Sequence, residues 1–222
     1  MSAPGQVRVH LTADLLRRTA EAARLLPTVT ELLPAALGAA GPGMPLLRAS
    51  WQALNIHPPQ DTLTAPLDPL AGIPLFDVGI GLAGESLGRD VTDLSRLWVH
   101  VAAGSQEPEP YAEPLAVRLA LLKHRYWEPA DDGTGVPDAA AQTLARWRAS
   151  VAQWARSPSG AMSREHADAV RDALGDDLDT ATALRALEDL ADSLAVPDGV
   201  KFETFASADR LLGLDLARDI GR

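Results

Sequence analysis

The second half of the chain carries a helical pattern that restricts its possible folds more than any other feature of the sequence. From Glu113 onward, apolar residues recur at three- and four-residue spacing in five successive segments. Such spacing places them on one face of a helix, which is buried while the other face meets solvent. Because short polar breaks separate the segments, the pattern predicts an antiparallel helical bundle.

Three of the five predicted helices have a plausible start, and four have an identified apolar stripe. Pro114 suits the first turn of the first helix, and Ser163 and Asp179 are predicted N-caps of the third and fourth. The stripes predict core positions rather than a ligand site. The inward residues are Leu115, Leu119, Leu122 and Tyr126; Leu144, Trp147, Val151 and Trp154 in a helix over about 138–156; Leu184, Leu187, Ala191 and Leu194; and Phe202, Phe205 and Leu212.

Three acids in four residues, Asp176, Asp177 and Asp179, precede the fourth predicted helix. A metal or acid/base site is one interpretation of such a cluster. The start of a helix is the other, because an Asp at the N-cap accepts free backbone N–H groups and its charge suits the helix dipole. We favour the helix start.

The first hundred residues have a mixed pattern. The string VRVHL (7–11) predicts a short strand, and Thr12 is the predicted N-cap of the helix that follows. Beyond a Gly- and Pro-rich connector, Leu47, Trp51 and Leu54 predict a second helix that ends before Pro58 and Pro59. Two apolar strings, at 73–84 and 94–104, predict strands. We therefore expect an α/β domain over 1–104 and the helical bundle over 105–222.

Composition excludes several classes of site. The chain has no cysteine, which rules out disulfides, thiolate catalysis and thiolate-bound zinc. No run of about 18 apolar residues occurs, and the N-terminus has no leader-like pattern. We expect no membrane segment and a cytoplasmic protein.

Charge limits the choice of partners. The formal net charge is −10, which disfavours loose binding to nucleic acid. Residues 113–166 are the least acidic part of the helical half, with seven Lys/Arg against six acids, whereas 167–222 hold six against thirteen. The predicted contacts for RNA or a protein partner are Arg118, Lys123, Arg125, Arg146 and Arg148.

Motifs that carry chemistry are few. The glycine-rich string Gly79–Gly88 has no lysine and favours a tight turn beside a strand over a phosphate-binding loop. The five histidines have no metal-ligand spacing, so we expect no metal site. No G-x-S-x-G motif is present.

Several strings, in order, resemble cysteinyl-tRNA synthetase and its relative, the cysteine ligase of mycothiol synthesis. The string EPLAVRLALLKHRYWEP (113–129) resembles the family's D-P-x-A-L-R-L-x-L-L-x-x-H-Y-R helix, and DDLDTATALRALEDL (176–190) resembles its D-D-x-N-T-P-x-A-L segment. The string KFETFASADRLLGLDLARDIGR (201–222) is similar to the family's closing helix, and weaker matches upstream are ASWQALNIHPPQDTL and RLWVHVAAG. The resemblance implies that the first domain is a reduced Rossmann-like domain of the class I synthetase type. It also implies that the bundle resembles the stem-contact domain of the synthetase.

Departures from the family are equally informative. VHLTADLLRR (9–18) resembles the family's H-L-G-H loop and following helix joined after a deletion, with His10 as the only remnant. FDVGIGLAGES (76–86) replaces a histidine-rich run and keeps only Glu85, and the K-M-S-K-S loop is missing. Selection of cysteine by zinc and stabilisation of the ATP phosphates both need those groups. The resemblance thus implies no catalytic residue, no zinc and no bound cofactor.

Two functions follow from these expectations. The first is a catalytically inactive paralogue, a pseudoenzyme that acts as a binding or regulatory protein for a protein partner or a tRNA. The alternative is a residual small-molecule ligase or transferase. Its remnant pocket is predicted around His10, Gly79, Gly81, Glu85 and His100.

Overall fold

The computed structural model describes residues 3–33, 49, 51–64, 76–82, 95–102, 113–129 and 136–222. Helix α1 and strands β1 to β4 come first, at Ala3–Ala22, Thr30–Leu33, Asp61–Thr64, Phe76–Leu82 and Ser95–Val101. Helices α2 to α6 follow at Pro114–Leu122, Val136–Trp154, Arg164–Gly175, Thr180–Asp192 and Asp198–Leu212. The chain thus combines an α/β part with a helical part. None of the described helices has the length and apolar character needed to span a membrane.

Helix α1 corrects the prediction of a strand at VRVHL. The whole string lies inside the helix, and Thr12 is not an N-cap, because its hydroxyl donates to the carbonyl of Arg8 one turn earlier at 2.9 Å. Val7, Leu11 and Leu15 are spaced four residues apart and are all buried. Their shared face packs into the core, so tertiary packing overrides the alternating local pattern.

The strands form two separate pairs among the described residues. Strand β1 pairs with β2 in parallel, from Thr30 opposite Asp61 to Leu33 opposite Thr64. Strand β3 pairs with β4, also in parallel, with Val78 opposite Leu97. The two strands predicted within 73–84 and 94–104 are confirmed. Helix α1 packs against β3, β4 and α6, which places it between the strands and the helical part.

The helical part follows its apolar stripes. Trp147 and Phe205 meet edge to face with ring centroids 5.6 Å apart at the centre of the core. Buried as predicted are Leu115, Leu119, Leu122, Leu144, Trp147, Val151, Trp154, Leu184, Leu187, Phe205 and Leu212, and Ala191 and Phe202 are partly buried against the core. The position of Leu194 is predicted wrongly: helix α5 ends at Asp192, and Leu194 lies fully exposed beyond the stripe.

In the helical part, the predicted first-turn and N-cap residues stand at the starts of their helices, but not all of the predicted N-caps make a side-chain hydrogen bond to the backbone. Pro114 occupies the first turn of α2, and Asp179 caps α5 by accepting the backbone N–H of Thr182 at 3.0 Å. Ser163 stands at the N-cap of α4 but makes no side-chain cap, because its hydroxyl lies 2.8 Å from Nδ1 of His166.

Trp51 and Leu54 are buried as predicted, and Leu47 lies outside the described residues. A single core cluster contains Val7 and Trp51 as well as the apolar stripes of the helical part. Helix α1 is therefore the element that joins the two parts of the core.

Candidate functional site

Helix α1 buries charged residues, and the most connected of them is Asp14. Its Oδ2 accepts from Nε of Arg18 at 2.8 Å and from Nη2 of Arg118 at 2.7 Å. Its Oδ1 accepts from the backbone N–H of His57 at 3.1 Å and lies 2.7 Å from Nδ1 of the same residue. We call Asp14, Arg18, His57 and Arg118 the Asp14 cluster.

Arg118 provides the rigid side of the Asp14 cluster. The side chain is fully buried, and besides Asp14 it donates to the carbonyls of Leu212, Leu54 and Asn55 at 2.7, 2.9 and 3.1 Å. Gly213, which ends helix α6 at φ +66°, packs against this guanidinium, and a Cβ there would stand 2.9 Å from Nη2. A fixed fork of donors thus holds three separate parts of the chain around one carboxylate.

The environment of Asp14 settles its charge and the tautomer of His57. Burial alone would raise the pKa of the Asp14 carboxyl, but Arg118 and Arg18 hold that pKa below its usual value. An ionised carboxylate only accepts hydrogen bonds, so Nδ1 of neutral His57 carries the proton and Nε2 keeps its lone pair.

The His57 side chain is 43% exposed whereas that of Asp14 has no exposed surface. A solvent-facing imidazole that a buried carboxylate orients through Nδ1 can accept a proton at Nε2.

A second group lies on the same helix, around His10. Nε2 of His10 is 3.2 Å from Oε1 of Glu31 on β1, and its ring lies 4.4 Å from the ring of Trp51. His10 was expected as the remnant of a loop between strand and helix. The structure corrects this, because residues 9–18 are continuous helix and His10 lies in its interior. We call His10, Glu31 and Trp51 the His10 cluster.

Arg8 ties α1 to the region after β4. Its guanidinium donates to the carbonyls of Ala102, Arg125 and Glu128 at 3.1, 2.8 and 2.6 Å. A cavity of about 20 Å³ beside it is lined in part by Thr12 and His124. That volume is about the size of one water molecule, so it offers no room for a substrate.

The other residues of the predicted remnant pocket lie on β3 and β4. Gly79 and Gly81 are inside β3, opposite Trp98 and His100, so the predicted turn does not begin before Leu82. His100 is exposed on β4. Glu85 lies outside the described residues.

Two of the five basic residues predicted to contact a partner are buried. Arg118 has no exposed surface and Arg148 is 4% exposed, because Arg148 donates to the carbonyls of Leu214 and Asp215 and to Glu113. Both donate to groups inside the fold, and the prediction that they face a partner is wrong.

The remaining three basic residues keep some exposure. Arg125 is bound to Asp179 and stacks on Trp127 at 4.9 Å, and Arg146 is bound to Glu188. Lys123 is exposed at the C-cap of α2.

The three acids before α5 have structural partners. Asp179 caps the helix and binds Arg125, and Asp177 accepts from the Tyr126 hydroxyl at 2.7 Å. Asp176 is exposed at the C-cap of α4. The helix-start interpretation holds for Asp179 by direct contact.

The zinc with which the family selects cysteine does not fit the described part of the chain. The sequence has no cysteine, and no group of three His, Asp or Glu side chains among the described residues is placed to hold a metal ion.

Sequence reasoning missed the Asp14 cluster. Its members come from positions 14, 18, 57 and 118, and the side-chain contacts to Asp14 span 43 and 104 residues of sequence. Only the spacing of Asp14 and Arg18, four residues apart on one helix face, carried a local signal.

Several curated proteins similar to the chain carry the name L-cysteine:1D-myo-inositol 2-amino-2-deoxy-alpha-D-glucopyranoside ligase. The protein of Thermobifida fusca is 38% identical over 148 residues, which are 63% of this chain and 32% of that protein. That of Acidothermus cellulolyticus is 34% identical over 137 residues, 62% of this chain and 31% of its own. That of Parafrankia sp. is 40% identical over 114 residues, 47% of this chain and 25% of its own.

The chain thus spans about a third of the length of these relatives. No protein-family model matches it. These relatives carry the same name and are 34–40% identical to the chain, which indicates that the chain is related to them. Over about 60% of its residues, the chain is similar to the mycothiol cysteine ligases, which are enzymes similar to class I cysteinyl-tRNA synthetases.

Proposed function

We propose that this protein is a small-molecule ligase or transferase, or part of one, that joins L-cysteine or a similar amino acid to an amine. The observation that carries the proposal is the shared name of its relatives, which states cysteine and an amino sugar as the two compounds joined. This favours the ligase alternative over the inactive paralogue that the missing motifs predict.

The Asp14 cluster supports the proposal through the proton that amide formation releases. In the step we propose, the amine nitrogen attacks the carboxyl carbon of a cysteinyl adenylate formed from ATP. The bond from that carbon to the phosphate oxygen breaks, and AMP leaves with the electron pair. The proton lost by nitrogen passes to Nε2 of His57, whose Nδ1–H is held by Asp14.

Because Asp14 is buried, the group that accepts the proton is His57 and not Asp14. Two guanidiniums neutralise the carboxylate, so Asp14 orients the imidazole without competing for its proton. Since the His57 side chain is 43% exposed, a substrate can approach Nε2 from solvent.

The test is product formation by the purified full chain. With ATP, cysteine and the amino sugar, mass spectrometry should detect the amide, and cysteine should drive exchange between ATP and pyrophosphate. His57→Gln should lower kcat by about 10²- to 10⁴-fold. His166→Gln is the control, because His166 bonds Ser163 on α4 and takes no part in the Asp14 cluster.

The proposal would be overturned if the folded protein gave neither the amide product nor the exchange between ATP and pyrophosphate. Normal turnover by His57→Gln would instead remove only the assignment of His57.

A binding or regulatory role toward a protein or a tRNA is the second candidate. The failure of the zinc fit favours it, since the family's selection of cysteine by zinc has no equivalent among the described residues. Gel shifts with cysteine tRNA at two salt concentrations test it, because phosphate contacts weaken steeply with salt. Lys123→Ala is the variant to compare, and an equal shift for it would exclude Lys123 from the contact.

We also propose the finer architecture that the resemblance implies. A reduced Rossmann-like domain over 1–104 is supported by the parallel pairing of both strand pairs. An antiparallel bundle over 105–222 is supported by the short links between α4, α5 and α6. Limited proteolysis should cut first within 102–114, and a first cut elsewhere would move the boundary.

A further inference from the structure

Asn55 stands two residues before His57 in a backbone conformation that few residues adopt. Its φ is +54°, in the left-handed region where asparagine is one of the few tolerated residues besides glycine. The N–H of Ile56 donates to the carbonyl of Trp51 at 2.8 Å, and that of Asn55 donates to the carbonyl of Gln52 at 3.2 Å. These two bonds form a Schellman motif, which ends a helical turn with a residue in the left-handed region. The direction in which the chain leaves that turn is therefore set at residue 55.

The backbone and the side chain of Asn55 are both bound to other parts of the fold. The backbone carbonyl accepts from Nη2 of Arg18 at 2.8 Å and from Nη1 of Arg118 at 3.1 Å. The side-chain Nδ2 donates to the carbonyl of Gly213 at 2.9 Å, at the end of α6. Asn55 is nevertheless exposed, so its replacement leaves no hole in the core. Helices α1 and α2 and the end of α6 thus fix the chain at residue 55.

The fixed turn at Asn55 determines where His57 points. A single oxygen of Asp14, Oδ1, accepts the His57 backbone N–H at 3.1 Å and lies 2.7 Å from its Nδ1. Both contacts need the main chain and the ring of His57 to approach Asp14 from the same side. Pro58 adds to this, because a residue before proline is restricted to extended conformations. The backbone of His57 therefore has little freedom, and the direction of Nε2 follows from the turn.

We infer that Asn55 is a positioning residue for His57. Its left-handed conformation aims the His57 backbone at Asp14, and its amide bond to Gly213 holds that conformation in place. The contact with Asp14 then keeps the proton on Nδ1 and leaves Nε2 open to the substrate. The inference rests on the proposed function, to which it adds a residue that acts only through His57.

Two replacements separate the conformation of residue 55 from its side-chain bond. Asn55→Gly and Asn55→Val both lose the bond to Gly213, but glycine adopts a positive φ freely whereas valine, which is branched at Cβ, does not. Asn55→Ala lies between them, and it takes the place of the valine variant if that variant does not fold. Gln52→Ala changes an exposed residue of the same helical turn and is the control. Circular dichroism establishes that each variant is folded.

The first readout is the tautomer of His57, which needs no turnover. The full chain is labelled with ¹⁵N-histidine and studied by NMR in alkaline buffer, where an ordinary imidazole is neutral, and His57→Gln assigns the signals. The ¹⁵N shifts of Nδ1 and Nε2 differ according to which of them carries the proton. We expect a single Nδ1-protonated form in the unaltered chain, in Asn55→Gly and in Gln52→Ala, and a mixture of both tautomers in Asn55→Val. The His166 signals should stay in place in every variant, because His166 bonds Ser163 on α4.

The second readout is turnover with ATP, cysteine and the amino sugar. Asn55→Val should lower kcat by about tenfold to 10²-fold, because a small displacement of a catalytic group has a cost of this size. KM for each substrate should stay unchanged, since the variant moves the proton acceptor and not a group that binds substrate. Asn55→Gly should keep most of the kcat of the unaltered chain.

The inference is overturned if folded Asn55→Val, or Asn55→Ala in its place, keeps the single tautomer of His57. A loss of stability without a change of tautomer would mean that Asn55 only supports the fold. It is also overturned if Asn55→Gly loses the single tautomer as fully as Asn55→Val, because the left-handed turn would then have no part in it. No amide from the unaltered chain would sink the ligase proposal alone and leave the tautomer as the test of positioning. Amide formation with an unchanged kcat in folded Asn55→Val would sink this inference alone.

Discussion

Helices α1 and α5 differ in the side chains that they bury, because α1 buries charged residues and α5 does not. Helix α5 covers its inner face with Ala183, Leu184, Leu187 and Leu190, in agreement with its apolar stripe. Helix α1 buries Arg8, Asp14 and Arg18 beside its apolar residues. The buried face of α5 therefore follows from its own sequence, whereas the buried charges of α1 need partners from distant parts of the chain. The candidate acid–base pair, Asp14 and His57, is one of these contacts between distant parts of the chain.

The strongest test of this difference is Arg118→Met. The change removes the Arg118 donor from the carbonyls of Leu212 and Leu54. The carbonyl of Asn55 keeps Arg18 as a donor, and Asp14 keeps Arg18 as its only arginine partner. Breaking a buried ion pair from one side costs about 3–5 kcal/mol, so the free energy of unfolding in urea should fall by about that amount.

Arg146→Met is the matched control. Its side chain is 55% exposed and pairs with Glu188 on the surface, where such pairs contribute about 0–1 kcal/mol. Equal losses for the two variants would show that the Asp14 cluster is no more important to stability than a surface pair.

The equivalent test of α5 is Leu187→Ala. Leu187 has no exposed surface, and large-to-small changes at such sites cost about 2–5 kcal/mol. Leu194→Ala is the comparison, because the same stripe predicts Leu194 to be buried and the structure exposes it. We expect it to change stability by less than about 0.5 kcal/mol. A large loss for Leu194→Ala would restore the stripe as the sequence predicts it.

Periodicity explains how much of the fold could be predicted. Trp147, Val151 and Leu187 recur at helical spacing, so burial of one face follows from the sequence without knowledge of any partner. Where the pattern was short it failed: VRVHL alternates like a strand, but Val7 and Leu11 share one helix face. The boundary between domains at 102–114 stays a prediction.

The candidate site was less predictable for a physical reason. Whether Asp14 is a surface acid or a buried anchor depends on Arg118 and His57, which the fold brings to it from 104 and 43 residues away. A count of charges from the sequence does not distinguish these three residues from groups in contact with water. The resemblance placed 113–129 in a family helix, but it did not reveal that Arg118 points inward.

A smaller effect is expected at the start of α5. Asp179→Ala removes the cap on the Thr182 N–H and the bond to Arg125, and cap losses cost about 0.5–2 kcal/mol. Asp176→Ala should change the unfolding free energy by less than about 0.5 kcal/mol, because Asp176 is exposed. If both variants lost equal stability, the cluster would act through its summed charge and not through one cap.

The smallest effect concerns Tyr126, where the chain after α2 meets the turn before α5. Partial burial and then the hydrogen bond to Asp177 raise the pKa of the Tyr126 phenol to about 12. Because the raised pKa favours the neutral phenol in the folded state, its contribution to stability is complete below the ordinary value of about 10. That contribution is lost as pH rises from there through 12.

The absorbance of tyrosinate, taken as the difference between the unaltered chain and Tyr126→Phe, should therefore titrate near 12. Asp177→Asn should move the midpoint back toward 10, since it removes the negative charge that opposes ionisation. A midpoint near 10 in the unaltered folded chain would mean that this hydrogen bond does not persist in solution. The contact between Tyr126 and Asp177 would then add nothing to the link between α2 and α5, and Arg125 with Asp179 would carry it.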